Sequence, residues 1–353
     1  MTLSKPAAGR NRQWLVKRNP RLDELVGPEH FDWVEVDRPS PGPGQILLRT
    51  LCLGTSPAQR GYISKTKSMH AKAPLGSVMR GRGVAEVVTS RHPDYQPGDQ
   101  VMATTGWQDY AVATPVTDGV FSTRKLADPS LPPTLNLGIL GAAGLTAYFG
   151  LTDVGDVHEG DTVVISAGAG GIGSCAIQIA RCLGAGRIVG IAGNAEKCAW
   201  MTDYLGATAA INYKSEDVGA LLDQHCPDGI DVFFDNVGGP QLEYALERLS
   251  IGARVAICGY IATDYTDTPA GPKNYVYLVR RRARMQGFFV FDYEQEFETA
   301  GAKLKQLFTS GELRPCEDVT EGLEHMPLAL QGLFTGSNRG VSVCQVAAAT
   351  QPA

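Results

Sequence analysis

Three glycines, Gly168, Gly170 and Gly173, stand in a Gly-x-Gly-x-x-Gly spacing directly after the apolar run Val163-Val-Ile-Ser166. Directly after them comes the helix-like run Cys175-Ala-Ile-Gln-Ile-Ala-Arg-Cys-Leu183. These residue types at this spacing can hold phosphate. The first glycine permits a tight turn, the second lets backbone approach a pyrophosphate, and the third lets helix and strand pack closely. A helix that begins there offers N–H groups and a partial positive charge to an anion. An ordinary glycine-rich turn is the bland alternative. The flanking strand and helix favour a dinucleotide-binding unit over it.

The residues beyond the turn bear on the choice of nucleotide. The next strand candidate is Arg187-Ile-Val-Gly-Ile-Ala-Gly193. An NAD site would place Asp or Glu at its end, about 20 residues past the glycines, on the ribose 2′-hydroxyl. This chain has Gly193-Asn194-Ala195-Glu196-Lys197 there. A missing acid and an arriving lysine favour a 2′-phosphate, hence NADP(H). Glu196 could instead face the ribose, and Lys197 could be a solvated residue in the first turn of a helix.

Elements must position these residues. Six strand candidates, Thr162–Ser166, Arg187–Ile191, Ala209–Asn212, Gly229–Asp235, Ala253–Gly259 and Met285–Phe291, alternate with helical stretches. That alternation predicts an α/β fold with a doubly wound parallel sheet. From about residue 11 to 130 the chain is instead rich in Pro and Gly, with short β-type runs such as Ile46–Cys52 and Gly83–Val88, which reads as a small barrel-like β domain. After a helix at Ala302–Ser310 and another near Leu323–Phe334, the strand Gly340–Val346 is expected to rejoin that β domain.

The 353 residues carry a formal net charge of −5, which leaves no electrostatic footprint for nucleic acid. The basic run Arg280–Arg284 reads as the end of a surface helix. Eight cysteines without a CxxC pair read as thiols in a reducing compartment. The amino-terminal residues lack an apolar signal core, and no stretch approaches the roughly 18 apolar residues of a membrane span. A cytoplasmic protein with no membrane partner is expected.

Several stretches in order make a resemblance: Asn11-Arg-Gln-Trp14, Arg80-Gly-Arg-Gly-Val84, Gly106-Trp-Gln-Asp-Tyr110, Gly144–Gly150, Ala195-Glu-Lys-Cys198, Phe234-Asp-Asn-Val-Gly-Gly239, Met285-Gln-Gly-Phe288 and Gly336-Ser-Asn-Arg-Gly340. Over nearly its whole length the chain resembles the medium-chain dehydrogenase/reductase superfamily, in its zinc-free branch of prostaglandin, curcumin and alkenal double-bond reductases. The resemblance implies a Rossmann-type NADP(H) domain at 131–304 and a GroES-like catalytic domain from 1–130 with 305–353. It also implies a homodimer that reduces the α,β carbon–carbon double bond of enones and enals. Two other readings stay open, a quinone reductase of the same superfamily and a catalytically silent NADPH-binding protein.

Matched motifs carry over the site. Gly170, Gly171, Ile172 and Gly173 would line the pyrophosphate, and Lys197 and Tyr213 would meet the 2′-phosphate. Asn236 and Cys258 follow later strands. Phe288, Phe289 and Val290 resemble backbone that binds the carboxamide, and Asn338 matches an asparagine near the nicotinamide. No metal is expected. Met79-Arg-Gly-Arg-Gly83 stands where zinc-dependent relatives have Gly-His-Glu, and the six histidines are scattered and read as surface residues. Two departures bear on substrate. Ser56-Pro-Ala-Gln-Arg60 has Ala58 where the branch has a pocket tyrosine. In Cys258–Tyr265, Asp264 takes the place of the tyrosine that supports enolate protonation in relatives, with Tyr265 next to it and Tyr260 earlier. Tyr265, Tyr260 or water would then serve.

Overall fold

The computed structural model describes residue 3 and residues 6–65, 72–116, 122–262 and 271–349. The chain divides into two units. One runs up to Leu137 and takes in Glu317–Asn338 and the chain from Ser342 onward; the other comprises Gly138–Cys316 and Arg339–Val341. The helix Phe297–Thr309 runs across position 304 and lies wholly in the second unit.

In the second unit the apolar runs form six parallel strands: Thr162–Ile165, Arg187–Ala192, Ala209–Asn212, Ile230–Asp235, Leu249–Ile257 and Arg284–Gly287. Numbered along the chain, their order across the sheet is 3-2-1-4-5-6, with every pair parallel. This is the doubly wound Rossmann order, whose crevice opens at the carboxyl ends of strands one and four, where the winding reverses. A helix links each strand to the next: Gly171–Cys182, Ala195–Trp200, Val218–His225, Gly239–Glu247 and Val276–Arg281. The central strands are covered on both faces, so they read as continuous apolar runs rather than alternating ones. Phe233 and Phe234 point to opposite faces, and both are fully buried.

Several strand bounds shift by one residue from expectation, the fifth strand begins at Leu249 rather than Ala253, and the ends of the last two strands shift further. The sixth strand stops at Gly287 instead of running to Phe291. The chain leaves the sheet there, Asp292 N–H turns back to Phe289 O at 2.9 Å, and a 3₁₀ helix occupies Val290–Glu296. The fifth ends at Ile257, because Cys258 and Gly259 both donate their N–H groups to Asp235 O, at 2.8 and 3.0 Å.

The first unit is antiparallel around Ile46–Gly54, which pairs with Arg82–Ser90, Tyr110–Ala113 and the late strand Val341–Gln345. The return of the late strand to the β domain follows expectation. Two signature stretches turn out to be one clamp. The Asn11 side chain donates to Tyr110 O at 3.0 Å and accepts from Tyr110 N–H at 2.9 Å. Arg12 Nε and Nη2 each reach the Asp109 carboxylate at 2.9 Å, and the Arg12 backbone N–H adds a third bond at 2.9 Å. Both side chains are buried, at 7% and 5% exposure. Removing one partner of such a pair strands a charge, so Asp109→Ala is expected to lower stability by about 3–5 kcal/mol. Urea denaturation of the variant checks this; a midpoint like that of the parent chain would show the pair to be dispensable.

Candidate functional site

Each strand of the parallel sheet ends in residues of the expected set. After strand one, Ala167 takes the left-handed backbone at φ +46°. The tight-turn role expected of the first glycine therefore falls to Ala167. Gly168 is needed for another reason: a Cβ there would stand 3.1 Å from Gly190 Cα on strand two and 2.7 Å from Met201 Sδ. Gly173 is the tightest of the three, since a Cβ would meet Ala167 O at 2.2 Å and Gly168 Cα at 2.8 Å. Gly170 caps the helix Gly171–Cys182 with extended backbone and no side chain, so no protein side chain competes for the first-turn N–H groups. Gly340 donates its N–H to Ala169 O at 2.8 Å and bridges Gly170, bracing the turn from outside.

After strand two, Asn194 Oδ1 accepts the Lys197 backbone N–H at 2.8 Å and caps the short helix that carries Lys197. Lys197 is half-buried and Glu196 exposed. After strand three, Tyr213 N–H bonds Ala192 O at 3.0 Å, which brings the tyrosine beside the end of strand two. After strand four, Asp235 is fully buried. Its Oδ1 accepts from Ser166 Oγ at 2.8 Å and from the N–H groups of Val237 and Gly238 at 3.0 and 2.9 Å. Burial pushes this carboxyl up, and those donors hold it back. Asn236 reaches across to strand one: its N–H binds Ser166 Oγ and its Nδ2 binds Ser166 O, each at 2.7 Å. The two strands flanking the crevice are thus tied at their carboxyl ends, a link that motif reading of Asn236 alone did not contain.

After strand five, burial and the Asp235 charge push the Cys258 thiol up to about 12, so it stays a neutral thiol at pH 7. The segment beyond it hangs on the turn after strand four through Ala262 N–H to Val237 O at 3.0 Å. Tyr260 on that segment is 54% exposed. Tyr265 and Asp264 lie outside the described residues. After strand six, the Phe288 ring packs edge-to-face on Phe234 at 6.2 Å and Val290 is buried, so these side chains serve the core and leave backbone for a ligand. Asn338 belongs to the first unit, where it lines a pocket of about 220 Å³ with Asp318, Thr320, His325, Ser337 and Ser342.

His30 corrects the expectation that the histidines lie at the surface, because it is fully buried. It sits near Glu24 and Glu29, the one described grouping with metal-ligand types close together. The Glu24 carboxylate is already occupied by Arg18, at 2.6 and 2.9 Å, and His30 Nδ1 lies 3.1 Å from the Gly27 N–H.

The cradle fits an NADP(H) molecule. Glycine-lined backbone and a helix start suit a pyrophosphate. Gly193 follows strand two with no carboxylate, and Lys197 and Tyr213 follow the ends of strands two and three.

The comparisons with known proteins agree. Residues 12–120 match a family described as the N-terminal domain of oxidoreductase, and residues 171–306 one described as zinc-binding dehydrogenase. The NADPH-dependent curcumin reductase of Escherichia coli is 37% identical over 344 residues, covering 96% of this chain and 97% of that protein. The NADP(+)-dependent 2-alkenal reductase of Nicotiana tabacum is 37% identical over 308 residues, covering 86% and 88%. The crystal structure of CurA in complex with NADPH from Vibrio vulnificus superposes with a TM-score of 0.86 at 36% identity, covering 97% of this chain and 100% of that one. The fold is thus a Rossmann domain with a GroES-like domain, that of the medium-chain dehydrogenases and reductases. Within that superfamily the chain belongs to the zinc-free branch of curcumin, alkenal and prostaglandin reductases, NADP-dependent oxidoreductases acting on carbon–carbon double bonds.

Proposed function

We propose that this oxidoreductase reduces the carbon–carbon double bond of α,β-unsaturated ketones or aldehydes. The observation that carries the reading is a carboxyl sheet edge at which an NADPH cradle meets the Tyr260 segment, held there by Cys258, Gly259 and Ala262. NADPH, when bound, supplies the hydride. Gly170, Gly171, Ile172 and Gly173 hold its pyrophosphate, Lys197 and Tyr213 its 2′-phosphate. Asn236 and Cys258, with the backbone of Phe288, Phe289 and Val290, position the nicotinamide. An enone needs little Lewis-acid help, since its carbonyl already draws electrons from the β-carbon that receives hydride. The protein's remaining task is to stabilise the enolate and protonate the α-carbon. We assign that proton to Tyr265, with Tyr260 as the alternative donor. Ala58, at the start of the helix Ala58–Ile63, is a smaller side chain than the tyrosine the resemblance implies for that position.

The first unit is proposed as the catalytic domain and the second as the nucleotide domain. A homodimer suits the sixth strand, which pairs on one side only and whose four residues are all exposed. No helix among the described residues is long and apolar enough to cross a membrane. Eight free cysteines suit the reducing cytoplasm, where we place the protein.

NADPH consumption with a simple aliphatic enone, followed by NMR of the product, tests the reaction. The saturated ketone is expected. An allylic alcohol, or turnover confined to quinones, would overturn the proposal. Lys197→Ala is expected to raise the KM for NADPH roughly ten- to a hundred-fold and to leave NADH nearly unchanged, the loss of one charge-assisted contact. Equal effects on both cofactors would remove Lys197 from the 2′-phosphate. Prolonged chelation is expected to leave activity intact, and zinc-restored activity would refute that expectation.

A further inference from the structure

Gly193 directly follows strand two, where NAD-selective folds place the acid that grips the ribose. In this structure the space beside Gly193 is taken by two side chains of strand three's end. A Cβ on Gly193 would lie 3.1 Å from Tyr213 Cε1, 3.3 Å from Tyr213 Oη and 3.3 Å from Lys214 Cε. The Lys214 Cε therefore stands against the ribose-selecting position itself. The Lys214 ammonium stands 5.9 Å from the centre of the Tyr213 ring, and its backbone N–H is anchored on Asn212 Oδ1 at 3.2 Å. Glu216, the nearest acid along the chain, is turned to the Asn212 N–H at 2.6 Å. Among the described residues no carboxylate pairs with Lys214. An exposed, uncompensated ammonium beside a tyrosine hydroxyl, at a position stripped of acid, is the chemistry of a phosphate monoester site.

We infer that Lys214 is a second cation for the 2′-phosphate of NADP(H), and that the missing side chain of Gly193 is what admits it. Lys197 approaches from the helix after strand two and Lys214 from the turn after strand three, so the phosphate is gripped from both sides. Selection for NADP(H) then comes from the pair, with Tyr213 orienting Lys214 through its ring face.

The inference rests on the NADP(H) reading, and calorimetric titration of the whole chain with 2′,5′-ADP and with 5′-ADP tests it without any turnover. Lys214→Gln is expected to weaken 2′,5′-ADP about tenfold, the effect of one charge-assisted contact, and to leave 5′-ADP unchanged. Lys214→Arg should restore most of the loss. Gly193→Asp, which puts a carboxylate against Lys214, should abolish the preference for 2′,5′-ADP. Unchanged 2′,5′-ADP affinity in Lys214→Gln, or an equal loss for both nucleotides, would overturn the role of Lys214 alone. A parent chain with no preference for 2′,5′-ADP over 5′-ADP would overturn the NADP(H) reading and the inference with it.

Discussion

Replacing Gly173 with valine is expected to weaken NADPH binding about ten- to a hundred-fold while leaving the fold in place. The first methyl-sized atom added at this position would come within 2.2 Å of Ala167 O, a contact no packed protein tolerates. The obstacle is backbone, so it cannot rotate away as the end of a side chain would. Ala167 O is also engaged by the Gly170 N–H at 2.8 Å, and Ala167 already holds a left-handed φ of +46°. Relief must therefore come from moving the helix start or the turn, and either displaces the first-turn N–H groups proposed to hold the pyrophosphate. Overpacking of this kind costs about 1–3 kcal/mol or more, and here the cost falls on the binding geometry. Gly301→Ala is the control. It lies in the helix Phe297–Thr309, where an added Cβ would meet nothing within 4 Å, and should keep the parent affinity. Fluorescence titration with NADPH, alongside far-ultraviolet circular dichroism, reads both effects. A Gly173→Val chain that binds NADPH normally would show that the turn adjusts without moving the cradle.

Tyr265→Phe is expected to lower kcat by about 10²–10⁴-fold with an enone, the usual worth of a positioned general acid. Hydride delivery to the β-carbon leaves an enolate, and a hydroxyl near its α-carbon both stabilises the charge and supplies the proton. The substitution keeps the ring and removes only the hydroxyl, so NADPH affinity should hardly change. A fall in kcat without a change in cofactor binding marks an interaction made in the transition state. Tyr260→Phe is the comparison, because the Tyr260 ring is the described aromatic on the same segment and is 54% exposed. Loss of kcat in Tyr260→Phe with full activity in Tyr265→Phe would transfer the role to Tyr260. If neither substitution lowers kcat, an isotope effect with deuterated NADPH separates protonation by water from a slow step outside the chemistry.

The strands and helices of the nucleotide domain were legible because their signals are local. Continuous Val, Ile and Phe runs mark strands buried on both faces, and Gly168, Gly170 and Gly173 mark one turn by spacing alone. The absence of an acid at Gly193 and the arrival of Lys197 are likewise readable in a few consecutive residues. Strand ends were less legible, as the sixth strand shows: Phe288–Phe291 are apolar enough for a strand, yet the chain turns out of the sheet after Gly287.

The linear order by itself determined the kind of unit, the place of its glycine turn and the preference for NADP(H). Tertiary structure decided the rest. It put Ala167 in the left-handed position and set Gly168 close against Gly190. It joined Arg12 to Asp109 across 97 positions, and Ser166 to Asn236 across 70. It buried His30, and it brought Lys214 beside Gly193. Each of these depends on atoms brought within a few ångströms by strand pairing and sheet order. Periodicity reports which face of an element is apolar, and only packing determines which distant residue that face will meet.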